Sequence, residues 1–260
     1  MSKSYAEIKK FLQSEGIEYF SAIKTYNLLV VNERIMPRDA KSCVMFLIPY
    51  YTGKHEGRNV SLYAVSPDYH LYIKELAARF EGDKEHFYSF FADTSPINER
   101  DAALKSGLGF LGENRLVINE KYGSFVFIGT ILTDAEFDED EYTLADEKKT
   151  CMGCGLCKKN CAYLRKECDC CLSELNQRKN VTDKELELIH SKKIRWGCDA
   201  CQEVCPHNKD VKITPIEFFH KDLLEKVDAK MIENMPKDEF SRRAYSWRGK
   251  KTILRNLGTK

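Results

Sequence analysis

No run of apolar residues in this 260-residue chain approaches the ~20 needed to cross a bilayer. The N-terminus, MSKSYAEIKKFLQSEG, is amphipathic and lacks the apolar core of a secretory signal. It carries no twin-arginine leader. Charge imbalance is missing as well: 41 Lys and Arg meet 40 Asp and Glu, a net charge of +1. Nothing in the chain as a whole therefore attracts nucleic acid or an anionic membrane, and such a partner has to use a local patch. There is no low-complexity segment, and no internal repeat beyond two runs of cysteine. With 43% hydrophobic and 31% charged residues, the composition is ordinary for a soluble globular protein, long enough for one large domain or two moderate ones. These absences set the expected compartment. A chain that is not exported but holds 11 cysteines belongs in a reducing cytoplasm, where thiols persist or bind metal.

Those cysteines are what the chain has in excess, and ten of them fall between residues 151 and 205. One run is Cys151-x2-Cys154-x2-Cys157-x3-Cys161, and the other is Cys198-x2-Cys201-x3-Cys205-Pro206. A cubane iron–sulfur cluster needs four thiolates at tetrahedral corners. In two-cluster ferredoxins the fourth cysteine of such a run ligates the other cluster. On that pattern Cys151, Cys154 and Cys157 take Cys205, while Cys198 and Cys201 take Cys161 and need one more. Cys168, Cys170 and Cys171 are the candidates. The competing reading is zinc, because paired C-x2-C knuckles also build zinc ribbons. A third cysteine at x2 and a fourth at x3 are surplus to that arrangement. Disulfides conflict with the expected compartment.

Along the chain, Tyr5, Ile8, Phe11 and Leu12 lie at helical spacing, with Gly16 as a stop. Residues 26–31 and 42–48 are predicted strands, the second buried and ended by Pro49; Cys43 within it is a core thiol. Tyr69, Tyr72, Ile73, Leu76, Ala77 and Phe80 form a helical stripe expected to face a core. Ser95 and Pro96 suggest an N-cap and first helical position, with Glu99 in the first turn and a stop at Gly107. Residues 107–112, GLGFLG, match G-x-G-x-x-G, yet they follow a helix and lead toward a strand at 115–118. A dinucleotide loop does the reverse, so the glycines point instead to a tight backbone path, suited to a flat ligand alongside. Another strand is expected at 124–132. Eight of the 14 residues from Asp134 to Glu147 are acidic, which marks a solvated linker and a domain boundary. A helical insertion is expected at 182–192. From Pro236 to Lys260 there are eight Lys or Arg and two acids around Trp247, either a solvated helix face or a phosphate-contacting patch.

Four stretches together resemble the epoxyqueuosine reductase family, the cobalamin and iron–sulfur enzymes of queuosine tRNA modification. Ser61-Leu62-Tyr63-Ala64 with Asp68-Tyr69-His70 is similar to the family's S-R-Y-A and D-Y-H. DTSPINER at 93–100 is similar to D-S/T-x-P-I/V-x-E-R. GLGFLGEN at 107–114 with Gly123-Ser124 is similar to A-G-L-G-x-x-G-K-N and G-S. GCDACQEVCPHN at 197–208 is similar to G-C-D-x-C-Q-x-V-C-P-x-N. The resemblance runs from about residue 37 to about residue 257. It implies an α+β chain: a nitroreductase-like, cobalamin-binding α/β domain at 1–146, a ferredoxin-like module with two 4Fe-4S clusters at 147–215, and a short helical basic tail at 216–260. It also implies Cys171 as the eighth cluster ligand, since Cys171-Leu172-Ser173 fits the family's C-I/L-S, and leaves Cys168 and Cys170 as non-ligands. Ser61, Ser173, Cys198 and Asp199 map to residues beside the corrin, and Asp93 maps to the catalytic acid. The chain departs from the family at Leu62, Glu113 and Ala162, where Arg, Lys and Pro are usual, and it stops where longer members begin tRNA-gripping helical repeats.

Removing an epoxide oxygen takes two electrons and protons. The cofactor carries the hard step and the protein supplies placement; two one-electron clusters in series suit delivery from an external low-potential donor. A carboxylic acid donates the proton only if burial raises its pKa toward neutrality. Phe90, Phe91 and Ala92 before Asp93 suit that demand, whereas a following helix N-terminus favours the anion. The plain alternative is that Asp93 only caps the helix. His70 is expected to be a packed or surface residue rather than a cobalt ligand, and His207 to be exposed. Glu99 and Arg100, adjacent on a helix, do not face each other.

The expected function is thus reduction of epoxyqueuosine in tRNA by a cytoplasmic monomer with no membrane partner. The alternatives are a cobalamin-dependent reductase of another substrate, and an iron–sulfur electron-transfer or cobalamin-reducing protein without tRNA activity.

Overall fold

The computed structural model describes residues 2–145 and 150–258. Two compact units alternate along the chain. One comprises Met1–Pro49, His70–Met152 and Thr214–Ile216; the other comprises Tyr50–Tyr69, Gly153–Ile213 and Glu217–Lys260. This differs from the linear order expected. Residues 50–69 pack with the cysteine runs, and the tail belongs to the same unit as those runs. The expected boundary at 146/147 lies outside the described residues. No helix among the described residues is long and apolar enough to cross a membrane.

The first unit is built on strands β1 (Phe20–Lys24), β2 (Ser42–Pro49), β3 (Tyr88–Ala92), β4 (Phe110–Leu111), β5 (Val117–Ile118) and β6 (Val126–Thr133). Four of them form an antiparallel sheet in the order β1-β2-β6-β3, and β4 and β5 make a separate hairpin. All eight residues of β2 are buried. A strand covered on both faces reads as a continuous apolar run, which is why SCVMFLI was legible. Cys43, Met45 and Leu47 share a core with Leu132 of β6 and with Ala102 and Ala103 of the helix Glu99–Lys105. On the other face Phe46 lies over Gly129, where any Cβ would overlap its ring.

Two elements differ from the expected ones. Residues 26–31 are not a sheet strand. Thr25–Asn27 form a 3-10 turn, and the segment after it pairs only with residues 96–98, through Val31 N–H to Pro96 O (2.8 Å) and Asn98 N–H to Leu29 O (2.8 Å). Leu28 and Val30 pack inward while Leu29 and Val31 stay exposed, so alternation misled where no long partner strand exists. The helix expected from Ser95 begins at Glu99 instead, capped by Asn98, whose side chain accepts from Asp101 N–H at 3.1 Å.

Every helix of the second unit is short; the longest are Asp183–Ser191 and Lys250–Leu257. The first of these falls in the expected insertion and opens with a capping box between Thr182 and Glu185. The unit's core joins Val60 and Val65 to Trp196 and to Val227, Ile232, Phe240, Tyr245 and Ile253 of the tail. Trp196 and Tyr245 meet edge to face at 6.1 Å. The tail is therefore core, and part of its basic character is structural. Lys250 donates to the carbonyls of Glu233 and Met235, and Arg255 donates to those of Arg178 and Lys179.

Candidate active site and thiol cluster

In the first unit β3 ends at Ala92 and the chain turns sharply at Asp93, whose φ is +63°. That conformation costs an L residue roughly 1–2 kcal/mol, and Asp and Asn tolerate it best. Thr94 N–H closes the turn on Ala92 O at 2.7 Å, and Asp93 N–H donates to Glu99 Oε2 at 3.0 Å. Asp93 itself is exposed. A desolvated carboxyl is found six residues later. Glu99 Oε1 is buried with no hydrogen-bond partner. Burial is the main cause that pushes Glu99 up to about 7; the Asp93 N–H and the nearby His70 oppose the shift, and the Asp93 charge adds to it. Arg100 does not pair with Glu99 but donates to Arg115 O at 3.0 Å. Sequence reasoning placed Glu99 in the first helical turn without assigning it this contact. The acid six residues after Asp93 was visible, but not which way it turned.

The glycine-rich stretch follows a helix and becomes β4, so no phosphate-binding turn forms there. Gly109 sits so close to Ile118 O that a Cβ would come within 2.5 Å of it, which lets the hairpin close. The hairpin borders a cleft of about 720 Å³, lined by Tyr19, Leu104, Gly107, Phe110, Asn119 and others.

Among the described residues no cysteine of the second unit is in a disulfide. Gly153 and Gly155 carry the first run through left-handed turns into the helix Leu156–Asn160, which packs on the helix Ala200–Glu203 of the second run. That packing gathers thiols from three separated segments. Cys201 lies within electrostatic reach of Cys198, Cys171, Cys161 and Cys157. Burial first and these neighbours second push the Cys201 thiol up to about 12; burial pushes Cys198 up to about 11, with the Ala200 N–H opposing and Cys171, Asp199 and Cys161 adding to the shift. Cys154 is exposed and Cys205 half-buried; Cys151 is at the end of the first unit's middle segment. Cys170 is buried with Leu172, Leu175 and Ile189, and Cys168 donates to its carbonyl at 3.0 Å. Among the described residues, no group of three or more His, Cys, Asp or Glu side chains is arranged to hold a metal ion.

Asp199 is 1% exposed. Its Oδ2 accepts from Leu62 N–H at 2.8 Å and faces Arg58 Nη1 at 3.0 Å, while Oδ1 is buried without a partner. Burial outweighs Arg58 and raises the carboxyl to about 6. Arg58, 4% exposed, also donates to Val60 O and to Glu203. Removing one member of a buried pair strands the other charge, so Arg58→Met is expected to destabilise the unit by about 3 kcal/mol or more. Urea unfolding measures this, and an unchanged midpoint would show the pair to be idle. Ser61 is fully buried beside Gly197, and Ser173 Oγ accepts from Gln177 at 3.0 Å. Asn176 exchanges two hydrogen bonds with the Gly197 backbone, 2.7 and 3.1 Å, and thereby ties the Ser173 helix to the second run. Neither Arg58 nor Asn176 had a sequence signal.

No family model matches the chain. It is 31% identical over 238 residues to the epoxyqueuosine reductase of Cyclobacterium marinum, covering 81% of this chain and 73% of that protein. It is 29% identical over 263 residues to the one from Lactococcus garvieae, covering 87% and 71%. Among solved structures, epoxyqueuosine reductase from Streptococcus thermophilus superposes with a TM-score of 0.75 at 21% identity over 98% of this chain and 80% of that one. A crystal structure of epoxyqueuosine reductase with a tRNA-Tyr epoxyqueuosine-modified stem loop gives 0.75 at 21% identity over 97% and 79%. The mixed α/β fold with its small antiparallel sheet is thus shared with these structures.

Proposed function

The chain belongs to the epoxyqueuosine reductase family, and from that premise we propose that it is an oxidoreductase converting epoxyqueuosine to queuosine in tRNA. The observation that carries this reading is the match to relatives of that name over more than two thirds of their length. The proposal extends to a nitroreductase-like first unit and a ferredoxin-like cysteine module, in a monomer of the reducing cytoplasm supplied by an external electron donor.

Among the described residues the thiols do not converge on a single metal ion, but a cubane cluster takes its thiolates at four separate corners, and neighbouring thiols from separated segments suit it. Buried neighbouring thiols whose ionisation is disfavoured are costly as bare anions, and iron removes that cost. On this reading Cys161, Cys171, Cys198 and Cys201 hold one 4Fe-4S cluster. The run spacing assigns Cys151, Cys154, Cys157 and Cys205 to the other. Cobalamin is rimmed with amides, and the Ser173 Oγ acceptor together with the buried, unpartnered Asp199 Oδ1 and Ser61 Oγ suits those donors. When bound, cobalamin supplies a strongly reducing centre for breaking the epoxide carbon–oxygen bond. Asp93 supplies the proton to the departing oxygen. Being exposed, it depends on bound substrate for its desolvation.

Anaerobically reconstituted chain should hold about eight irons and one cobalt and turn over epoxyqueuosine tRNA. Absence of turnover with both cofactors loaded overturns the proposal. Cys171→Ala is expected to drop iron to about four per chain while Cys168→Ala keeps about eight, read by metal analysis. The opposite pattern would reassign the ligand.

A further inference from the structure

Asp93 does not hold its own backbone in place. It sits exposed in a left-handed conformation at the end of β3. The chain that follows is fastened elsewhere: Val31 and Asn32 N–H donate to Pro96 O, Asn98 N–H donates to Leu29 O, and the helix Glu99–Lys105 is rooted in the core by Ala102 and Ala103. Between this anchored stretch and the strained residue runs one side-chain link, Asp93 N–H to Glu99 Oε2 at 3.0 Å. Resting on the reading of Asp93 as proton donor, we infer that Glu99 is its positioning residue: the Glu99 carboxyl pins the Asp93 amide and so fixes where the Asp93 side chain reaches.

The geometry commits Glu99 to this contact, since its other oxygen is buried without a partner. The groups in electrostatic reach of it are Asp93, His70 and, on β2, Cys43. Burial holds Glu99 near 7, well above the ordinary 4.5. Below about pH 7 the clamp accepts mainly as a neutral carboxyl, and a glutamine carbonyl offers the same acceptor. The same desolvation has a signature in stability. Between about pH 4.5 and 7 the folded chain keeps a proton that the unfolded chain releases, so this contribution to stability is lost as pH rises through that window.

The test uses the full chain with both cofactors loaded, in four forms: wild type, Glu99→Gln, Glu99→Ala and Asp93→Asn. Glu99→Ala should lower kcat on the order of 10²-fold, because small misplacements of a reacting group cost that much, with little change in KM. Glu99→Gln should remain within roughly threefold of wild type. Amide exchange at residue 93, followed by NMR on the reduced chain, should stay protected in wild type and Glu99→Gln and become fast in Glu99→Ala. Glu99→Gln should also flatten the fall in stability between pH 4.5 and 7. Equal exchange in all forms overturns the clamp, as does an alanine variant as active as wild type. A glutamine variant as poor as alanine overturns it too, since an acceptor would then not suffice. A stability curve parallel to wild type would show Glu99 to be solvated and unable to pin a loop. If wild type with both cofactors never turns over, the functional reading fails, and amide exchange alone decides the clamp.

Discussion

Asp93→Asn is expected to lower turnover by about 10²–10⁴-fold, the range a positioned general acid contributes, and to leave the fold intact. The substitution isolates the proton. Asparagine tolerates the left-handed backbone that Asp93 adopts at φ +63°, and it keeps the N–H that Glu99 holds. It keeps nearly the same side-chain shape as well. What disappears is a group able to give a proton to the departing epoxide oxygen. KM should change little, because the lost interaction is made in the transition state rather than with bound substrate. Single-turnover kinetics under anaerobic conditions, with iron and cobalt content matched to wild type, measures the effect. A variant within a few-fold of wild type would return Asp93 to the plain role of ending a strand before a helix.

What was legible in the sequence is what has a local signature. Cysteine spacing is local, so the runs at 151–161 and 198–205 stood out as a candidate ligand set before any fold was known, and the structure brings thiols of both runs near one another. β2 was legible because a strand buried on both faces is a continuous apolar run. The glycine-rich stretch was separated from a dinucleotide loop by its order, helix before strand, and the structure has that order. β3 was missed because its residues, YSFFA, are only partly buried and too few to show a period. Residues 26–31 misled for the opposite reason: alternation was present, but the partner is three residues long.

The polar contacts that shape both sites left no trace in the sequence. Arg58 meets Asp199 across about 140 positions, and Asn176 meets Gly197 across 21. Such pairs are chosen by packing, and a buried polar atom is stable only when a specific partner reaches it. No composition or spacing names that partner. The same holds for Glu99, whose burial separates the desolvated carboxyl from the exposed one at Asp93.

Gly197 carries the second large effect. It precedes Cys198, has φ +74°, and has Ser61 so close that a Cβ would overlap the hydroxyl, with Tyr63 Cε1 at 2.8 Å. Gly197→Ala therefore meets two independent penalties: roughly 1–2 kcal/mol for an L residue in the left-handed region, and about 1–3 kcal/mol for forcing a methyl into packed surroundings. Relief by movement is blocked, because Asn176 holds both the N–H and the carbonyl of Gly197, and Ser61 N–H is itself bonded to Trp196 O at 2.8 Å. The expected loss of about 2–5 kcal/mol is a large share of the 5–15 kcal/mol that keeps a domain folded. Urea unfolding of the iron-free chain should show it as a lower midpoint at unchanged slope. Because the displaced backbone leads directly into Cys198, iron uptake by the cluster it is proposed to share with Cys161, Cys171 and Cys201 should fall with it. Ser61→Gly in the same chain removes the overlapping hydroxyl but not the backbone strain, so it should restore part of the stability. An alanine at 197 that folds and loads iron like wild type would mean that the approach of Ser61 to the second cysteine run does not constrain it.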